Sequence, residues 1–272
     1  MPWYCAKSIE LYKYADADEK FPLLFDENLY LIEAGSFAEA KGRAVSFAEE
    51  MAAIWTSPTY IGGLKGRVVA AGLRDVERLQ LREPEPLTVV SRSFYEPSEP
   101  EQIPSFVEQA EALCLTYLRQ DGLLEFTTDF ISKGSNGLSD SSASEELWWQ
   151  SAHLVYSLTT NGFVPLILEE VVIFEYLSDD WSEAEAFGRA RAACSSAVFN
   201  GVEYQVHFEG IRQVNLITDA RVGIGPAAFT EISYSKFEVA SPHQLERLLD
   251  NQNCLVKLLP ASFCNLQVPD SA

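Results

Sequence analysis

The sequence predicts an α+β protein made of two tandem β-β-α-β-β modules. Each is an antiparallel sheet covered by a helix, each is followed by an additional helix, and the two pack as a pseudo-dimer. Three observations carry this expectation. Short motifs recur in the same order at a spacing of roughly 140 residues. In each set, alternating apolar runs flank one run with helical spacing. The length of 272 residues suits two domains of ordinary size.

The recurring motifs are specific. Trp3-Tyr4 returns as Trp148-Trp149, and Pro22-Leu23 as Pro165-Leu166. An acidic pair follows each proline, Asp26-Glu27 and then Glu169-Glu170. Phe37-Ala38-Glu39-Ala40 returns as Trp181-Ser182-Glu183-Ala184, and Gly42-Arg43-Ala44 as Gly188-Arg189-Ala190. Gly72-Leu73-Arg74-Asp75-Val76 returns as Gly210-Ile211-Arg212-Gln213-Val214, and Ser91 to Glu96 as Ser233 to Glu238.

Each copy opens on an aromatic-led alternating run, Trp3 to Tyr14 and Trp148 to Leu158, the pattern of a half-buried strand. A polar turn, Ala15 to Lys20 or Thr159 to Gly162, leads to a second apolar run, Leu29 to Ile32 or Val171 to Phe174. Short connections of this kind predict a hairpin. Ser36 with Glu39 three residues on forms a capping box for a helix whose apolar face runs from Phe37 to Met51. In the second copy Asp180 or Ser182 caps, and Trp181, Ala184, Phe187, Ala190 and Cys194 continue the face. Two further β-rich runs complete each module: Arg67 to Leu79 and Leu87 to Tyr95, then Gln205 to Ile217 and Phe229 to Phe237. Amphipathic helices are expected from Ile103 to Leu118 and from Pro242 to about Leu259. Ser132 to Ser144 is Ser/Gly-rich and reads as a linker. The expected division is 1–96, first module; 97–146, helix and linker; 147–240, second module; 241–272, C-terminal helix and tail.

Composition narrows the function. The net charge of −20 disfavours nucleic acid and anionic membranes and favours a basic partner. No apolar stretch approaches the ~20 residues of a membrane span. No secretion signal is read at Met1-Pro2-Trp3-Tyr4, so the expected location is cytoplasmic. The five cysteines, with no CxxC spacing, suit reduced buried thiols.

The first copy resembles the DUF4288 family of bacterial proteins. The residues that carry the resemblance are Trp3-Tyr4, Asp26-Glu27, the helix from Ser36 to Met51, Gly72-Leu73-Arg74-Asp75-Val76 and Ser91-Arg92-Ser93-Phe94. The second copy departs from the pattern at Gln213 and at Ser233-Tyr234. The resemblance implies the fold and a bacterial setting. It transfers no catalytic residue.

No motif for chemistry stands out. His153, His207 and His243 lack metal-ligand spacing, so no metal or cofactor is expected. Gly62 to Gly66 lacks the ending of a phosphate loop and reads as a turn. Two polar features persist in both copies: the acidic pairs, and Arg74 with Arg212, which are expected to pair with those acids across the sheet. Trp3, Tyr4, Trp148 and Trp149 alternate along their strands. One of each pair should fill the core, and the other should serve as a binding anchor or bury between the modules. The tentative binding set is therefore Trp3, Tyr4, Asp26, Glu27, Arg74, Trp148, Trp149, Glu169, Glu170 and Arg212. The expected function is a non-catalytic acidic protein-binding protein, most concretely an immunity or antitoxin-type inhibitor of a basic toxin or nuclease. The alternatives are an enzyme with a carboxylate–arginine site between the modules, and a scaffold subunit of a bacterial assembly. The sequence leaves further homo-oligomerisation open.

Overall fold

The computed structural model describes residues 1–14, 23–54, 59–61, 64–79, 88–109, 111–119, 125–126, 148–161, 165–176, 181–193, 196–199, 201–217, 220–221, 225–226 and 230–260. Its elements are β1 (Trp3–Tyr14), β2 (Leu23–Glu33), α1 (Phe37–Ile54), β3 (Thr59–Ile61), β4 (Leu64–Arg78), β5 (Thr88–Pro97), α2 (Gln102–Glu108), β6 (Leu113–Tyr117) and β7 (Glu125–Phe126). The second half continues with β8 (Trp148–Thr159), β9 (Leu166–Tyr176), α3 (Ser182–Ala193), β10 (Ser196–Phe199), β11 (Val202–Leu216), β12 (Ala220–Arg221), β13 (Gly225–Pro226), β14 (Thr230–Val239), α4 (Pro242–Leu249) and β15 (Cys254–Leu258). The turn at 15–20, Gly62, Gly63, the join at 132–144, Asp180, Cys194 and Cys264 lie outside the described residues.

Two self-contained modules packed as a pseudo-dimer do not form. Thirteen strands make one antiparallel sheet in the order β3-β4-β1-β2-β14-β15-β6-β5-β9-β8-β11-β10-β7, and β12 and β13 form a separate pair. The first two long strands of each copy do form hairpins, and β4 and β11 join them as expected. The last long strand of each copy then leaves its own repeat. β5 pairs with β9 from Thr88–Ile173 to Tyr95–Ile167. β14 pairs with β2 from Thr230–Leu31 to Val239–Leu23. Alternation along a strand sets which face is buried but not which edge it joins. The pattern was therefore compatible with either partner, and the chain takes the crossed one.

The trailing segments also differ from expectation. Each is a short helix followed by a strand. In the first copy α2 stops where Gln109 turns left-handed at φ 49°, and Leu113, Leu115 and Tyr117 then alternate inward in β6. In the second copy Asn251 at φ 51° follows α4, and Cys254, Val256 and Leu258 do the same in β15. β6 and β15 pair with each other, with Leu115 opposite Val256 at the centre of the ladder. The helices cross over too. A Cβ at Gly210 of β11 would lie 3.0 Å from Val107, beside α2, and one at Gly72 of β4 would lie 3.2 Å from Leu249 of α4. Both glycines hold φ +147°, a conformation that other residues rarely adopt.

β14 meets β15 only at Phe237 and Glu238, and β5 meets β6 only from Tyr95 to Pro97. Along the remaining length of each, side chains from the other hairpin reach that edge. Gln213 of β11 donates to the Tyr234 carbonyl of β14, and Lys7 of β1 donates to the Arg92 carbonyl of β5. The sheet thus encloses an interior with two seams that side chains close. Trp3, Cys5, Leu29, Leu31 and Val90 pack there with Trp149, Val171, Ile173 and Ile232 of the other copy. A second apolar layer joins Ile9, Phe25 and Tyr95 to Val155, Ile167 and Phe237, with α2, α4, β6 and β15 supplying Ile103, Phe106, Leu115, Leu248 and Val256.

α1 and α3 lie on the outer face. The Glu39 amide donates to Ser36 Oγ at 3.2 Å, the expected half of the capping box, while Glu39 Oε2 accepts from the Gly35 amide at 2.8 Å, one residue before the cap. Ala40, Ala44 and Ala48 form the buried line of α1. Aligning Ala40 with Ala184 places Gly188 at the position of Ala44, so the Gly-Arg-Ala match is two residues out of helical register. Gly42 is exposed, whereas Gly188 is buried. A Cβ at Gly188 would lie 2.4 Å from the Phe208 ring, and the first copy has Ala70 where Phe208 stands.

Gly188→Ala should therefore destabilise the protein by about 1–3 kcal/mol through overpacking. Gly42→Ala, with nothing within 4 Å of the new methyl, should stabilise it by about 0.5–1 kcal/mol. Urea unfolding of both variants checks the contrast.

Candidate functional site

Between the two apolar layers of the interior lies a belt of polar side chains. It begins with parity on the first strands. Trp3, Cys5, Lys7, Ile9 and Leu11 share the inward face of β1, and Trp149, Ser151, His153 and Val155 share that of β8. Lys7 and His153 are equivalent, because each pairs with the residue two beyond the inward glutamate of its hairpin. Arg74 and Arg212 sit at matching irregularities where the register with β1 and β8 slips. A bulge of this kind re-aims one side chain.

In the second copy the arrangement is dense. Arg212 Nε donates to Glu169 Oε1 at 2.5 Å, and His153 Nδ1 lies 2.8 Å from the same oxygen. Tyr95 Oη donates to Glu169 Oε2 at 3.3 Å. Arg212 Nη2 donates to Ser235 Oγ at 2.7 Å. His153 Nε2 meets Ser233 Oγ, which also accepts from Asn215 Nδ2 at 2.9 Å. Burial alone would raise the Glu169 carboxyl, but Arg212 and His153 outweigh it and hold the group down to about 2. Burial, with Arg212 adding to it, pushes His153 below its usual value and keeps it neutral, although Glu169 opposes this.

The first copy uses different groups at the same places. Tyr117 Oη reaches both oxygens of Glu27 at 3.0 Å and lies 2.8 Å from Ser93 Oγ. Lys7 Nζ donates to Ser93 Oγ at 3.1 Å. The Arg74 guanidinium lies 3.7 Å from the Tyr117 ring centre and donates to the Leu118 and Leu248 carbonyls at 3.1 Å. The expected cross-sheet pairing thus forms as an ion pair at Arg212 and Glu169. Arg74 instead satisfies a carbonyl at the C-terminal end of α4, where a cation is favoured. Burial raises Glu27, and Lys7 and Arg74 oppose it. Burial would lower Lys7, but Tyr117, Glu77, Glu27 and Asp75 outweigh it, so the amine stays charged.

The neighbours of Lys7 and His153 match their charge. Asp75 and Glu77 flank Lys7, whereas Gln213 and Asn215, their amide counterparts, flank His153 and bond each other at 2.6 Å. Each carboxylate stands beside a cation, and each amide beside a neutral ring.

The acidic pairs do not act as pairs. Strand alternation sends Glu27 and Glu169 inward and Asp26 and Glu170 outward. Asp26 accepts from Lys236 Nζ at 2.9 Å and from Tyr12 Oη. Glu170 is bridged by Arg92 at 2.8 Å and by Arg191 of α3 at 2.6 Å. In the second copy Leu158, Leu168 and Phe94 occupy the places of Tyr12, Asp26 and Lys236, and all three lie in one apolar cluster.

The expected aromatic anchors are not outward. Trp3, Tyr4 and Trp149 are buried, Tyr4 beneath α1 and the two tryptophans together in the interior. Both faces of β1 are covered, so alternation leaves neither residue exposed. Trp148 is described in its backbone alone, paired with Tyr176. No motif in the sequence marks Lys7, Tyr117 or the serines at 93, 233 and 235 as site residues, and His153 lacks metal-ligand spacing. The available signal was an ionisable side chain at core parity, Lys7 in an otherwise apolar row and His153 in a row it shares with Ser151.

Ser233, His153 and Glu169 have the connectivity of an acyl-transfer triad. They are 2%, 2% and 3% exposed, and Asn215 and Arg212 occupy the remaining approaches. No face of Ser233 Oγ is open to a carbonyl carbon. Lys7 beside Ser93 has the spacing of a Ser–Lys dyad, but its charged amine has no lone pair to act as a base. The belt is a buried, densely bonded network that ties the two copies together, with Arg74 Nε its one described side-chain atom lacking a hydrogen-bond partner. No helix among the described residues is long and apolar enough to cross a membrane. No protein-family model matches the chain, and no curated protein or solved structure is significantly similar to it.

Arg212→Ala should cost about 3–5 kcal/mol by removing the guanidinium that balances the buried Glu169 carboxylate, as read by urea unfolding. Replacing Tyr12, Asp26 and Lys236 together by the Leu, Leu and Phe of the other copy should be neutral or stabilising by about 1–4 kcal/mol, while Lys236→Phe alone destabilises. A fluorophosphonate probe should leave Ser233 unlabelled in the folded protein, and stoichiometric labelling would reinstate the triad as catalytic.

Proposed function

We propose that this chain is a non-catalytic acidic binding protein that captures a basic protein, most concretely as an immunity or antitoxin-type inhibitor of a basic toxin or nuclease. One observation carries the reading. The described buried charges are five acids (Glu10, Asp26, Glu27, Glu169, Glu170) and five bases (Lys7, Arg74, Arg191, Arg212, Lys236), which cancel. The formal net charge of −20 therefore belongs to the residues outside that set. A surface field of this sign steers a cationic partner and repels nucleic acid.

Acidic side chains gather around α2. Glu96, Glu99, Glu101, Glu108 and Glu111 are exposed, and no Lys or Arg occurs between Arg92 and Arg119. Two exposed aromatics at equivalent helix starts, Phe37 and Trp181, offer anchors where Trp3, Tyr4 and Trp149 are buried. Each has acids beside it, Glu39 in one case and Glu183 and Glu185 in the other. The bacterial setting of this proposal rests on the resemblance to the DUF4288 family.

Affinity purification from the native host, with neighbouring genes read alongside, supplies the partner. The association rate with that partner should fall about tenfold or more as salt rises from about 50 to 200 mM. Reversing Glu99, Glu101, Glu108 and Glu111 to lysine should lower it further. An association rate that ignores both changes would reject electrostatic capture.

A further inference from the structure

The two seams of the enclosure are latched by different chemistry. In the first, the Lys7 ammonium of β1 holds β5 through the Arg92 carbonyl and Ser93 Oγ. In the second, β14 is held by neutral donors and acceptors. His153 and Asn215 meet at Ser233, Gln213 donates to the Tyr234 carbonyl, and Ser151 donates to the Ile232 carbonyl at 2.5 Å. Arg212 on Ser235 is the one cation in that latch among the described residues. Ladder pairing of β14 with β15 covers only Phe237 and Glu238, so these side-chain bonds close the rest.

We infer that the second seam is an acid-sensitive latch. Protonation of His153 releases β14 from β8 and β11, while the Lys7 seam stays shut. The groups that face the imidazole define the effect. Glu169 of β9 lies at Nδ1, Arg212 Nη2 of β11 stands 2.9 Å from the same nitrogen, and β14 offers only the hydroxyls of Ser233 and Ser235. Tyr95 of β5 reaches Glu169 from the far side, and Glu27 of β2 lies beyond it. In the neutral ring Nδ1–H donates to Glu169, and Nε2 accepts the Ser233 proton. A second proton on the ring removes the acceptor for the Ser233 proton, so the hydroxyl must turn that proton away and accept from Nε2–H as well as from Asn215. It also sets two cations against the single carboxylate of Glu169.

The direction of the pH effect follows from burial. His153 binds its proton less well in the folded state than in the unfolded chain. Its contribution is complete above about pH 6.5 and is lost as pH falls below that value. Glu10, Asp26, Glu27 and Glu77 are held above their usual values, so their protonation in acid works the other way. A whole-protein melting curve therefore mixes both effects, and a local reporter separates them.

Ile232 and Val90 are equivalent buried residues, one at each seam, both about 1% exposed. Single Ile232→Cys and Val90→Cys variants of the full chain are labelled with 4,4′-dithiodipyridine from about pH 7.5 to pH 5, with rates taken relative to a free thiol and sites read by peptide mapping. The relative rate at 232 should rise by about tenfold per pH unit below 6.5. The rate at 90 should stay flat, and His153→Gln should flatten the rise at 232. Equal responses at the two positions, or a rise that survives His153→Gln, would overturn the latch. Should a variant not fold, NMR of the unaltered protein decides. β14 resonances that change together with the His153 ring as pH falls below about 6.5 support the latch, and β14 resonances that ignore the titration of that ring reject it.

Discussion

Everything in this structure depends on the exchange of one strand between the two repeats. β5 completes the hairpin of the second copy, and β14 completes that of the first. Each ladder crosses the boundary that the repeat draws in the chain, so neither repeat holds a full set of main-chain partners by itself. An unpaired edge on β2 or β9 would expose a row of amide and carbonyl groups, which folded proteins avoid. The trailing segments reinforce the exchange, since α2 lies against β11, α4 lies against β4, and β6 and β15 join at the centre. The apolar cluster with Trp3 and Trp149 side by side belongs to both copies at once.

Such an interior must also place charges. The inward parity of β1 and β8 puts one ionisable residue of each in the middle, and the surroundings have diverged to suit it. Lys7 sits among acids and His153 among amides, although the backbones around them carry the same bulges and the same glycines at φ +147°. On the outer face the divergence goes further. A buried Lys–Asp–Tyr group in one copy faces three apolar residues in the other. Replacement of buried ion pairs by apolar groups is often energetically neutral, so two solutions can coexist on one fold. The polar residues of the belt are buried and, Arg74 Nε apart, bonded to one another and to backbone among the described residues. That is the main physical reason for placing function on the surface.

The sequence made the local elements legible. Trp3–Tyr14 alternates and forms a strand with those bounds, and Ser36 and Glu39 cap the helix that follows. The duplication was legible because fold-making residues recur in order. The exchange was not, since Leu87 to Tyr95 reads as a strand whichever edge it joins. Leu113 to Tyr117 was absorbed into a helix because apolar residues two apart over five positions also fit a short helical face. The acidic pairs were noticed as units, yet adjacent strand residues point apart, so Glu169 met Arg212 while Glu170 met Arg92 and Arg191. Lys7 stood out only against the apolar row in which it lies, and His153 less so, because Ser151 and Ser157 share its row.

The exchange itself is open to a direct measurement. The chain is cut between Phe126 and Trp148, and the two halves are produced separately and together. Circular dichroism and sedimentation follow each sample. The crossed ladders predict that each half alone lacks cooperative unfolding and that mixing restores a one-to-one complex with the unfolding transition of the intact chain. Two halves that each fold as stable monomers and ignore one another would contradict the account.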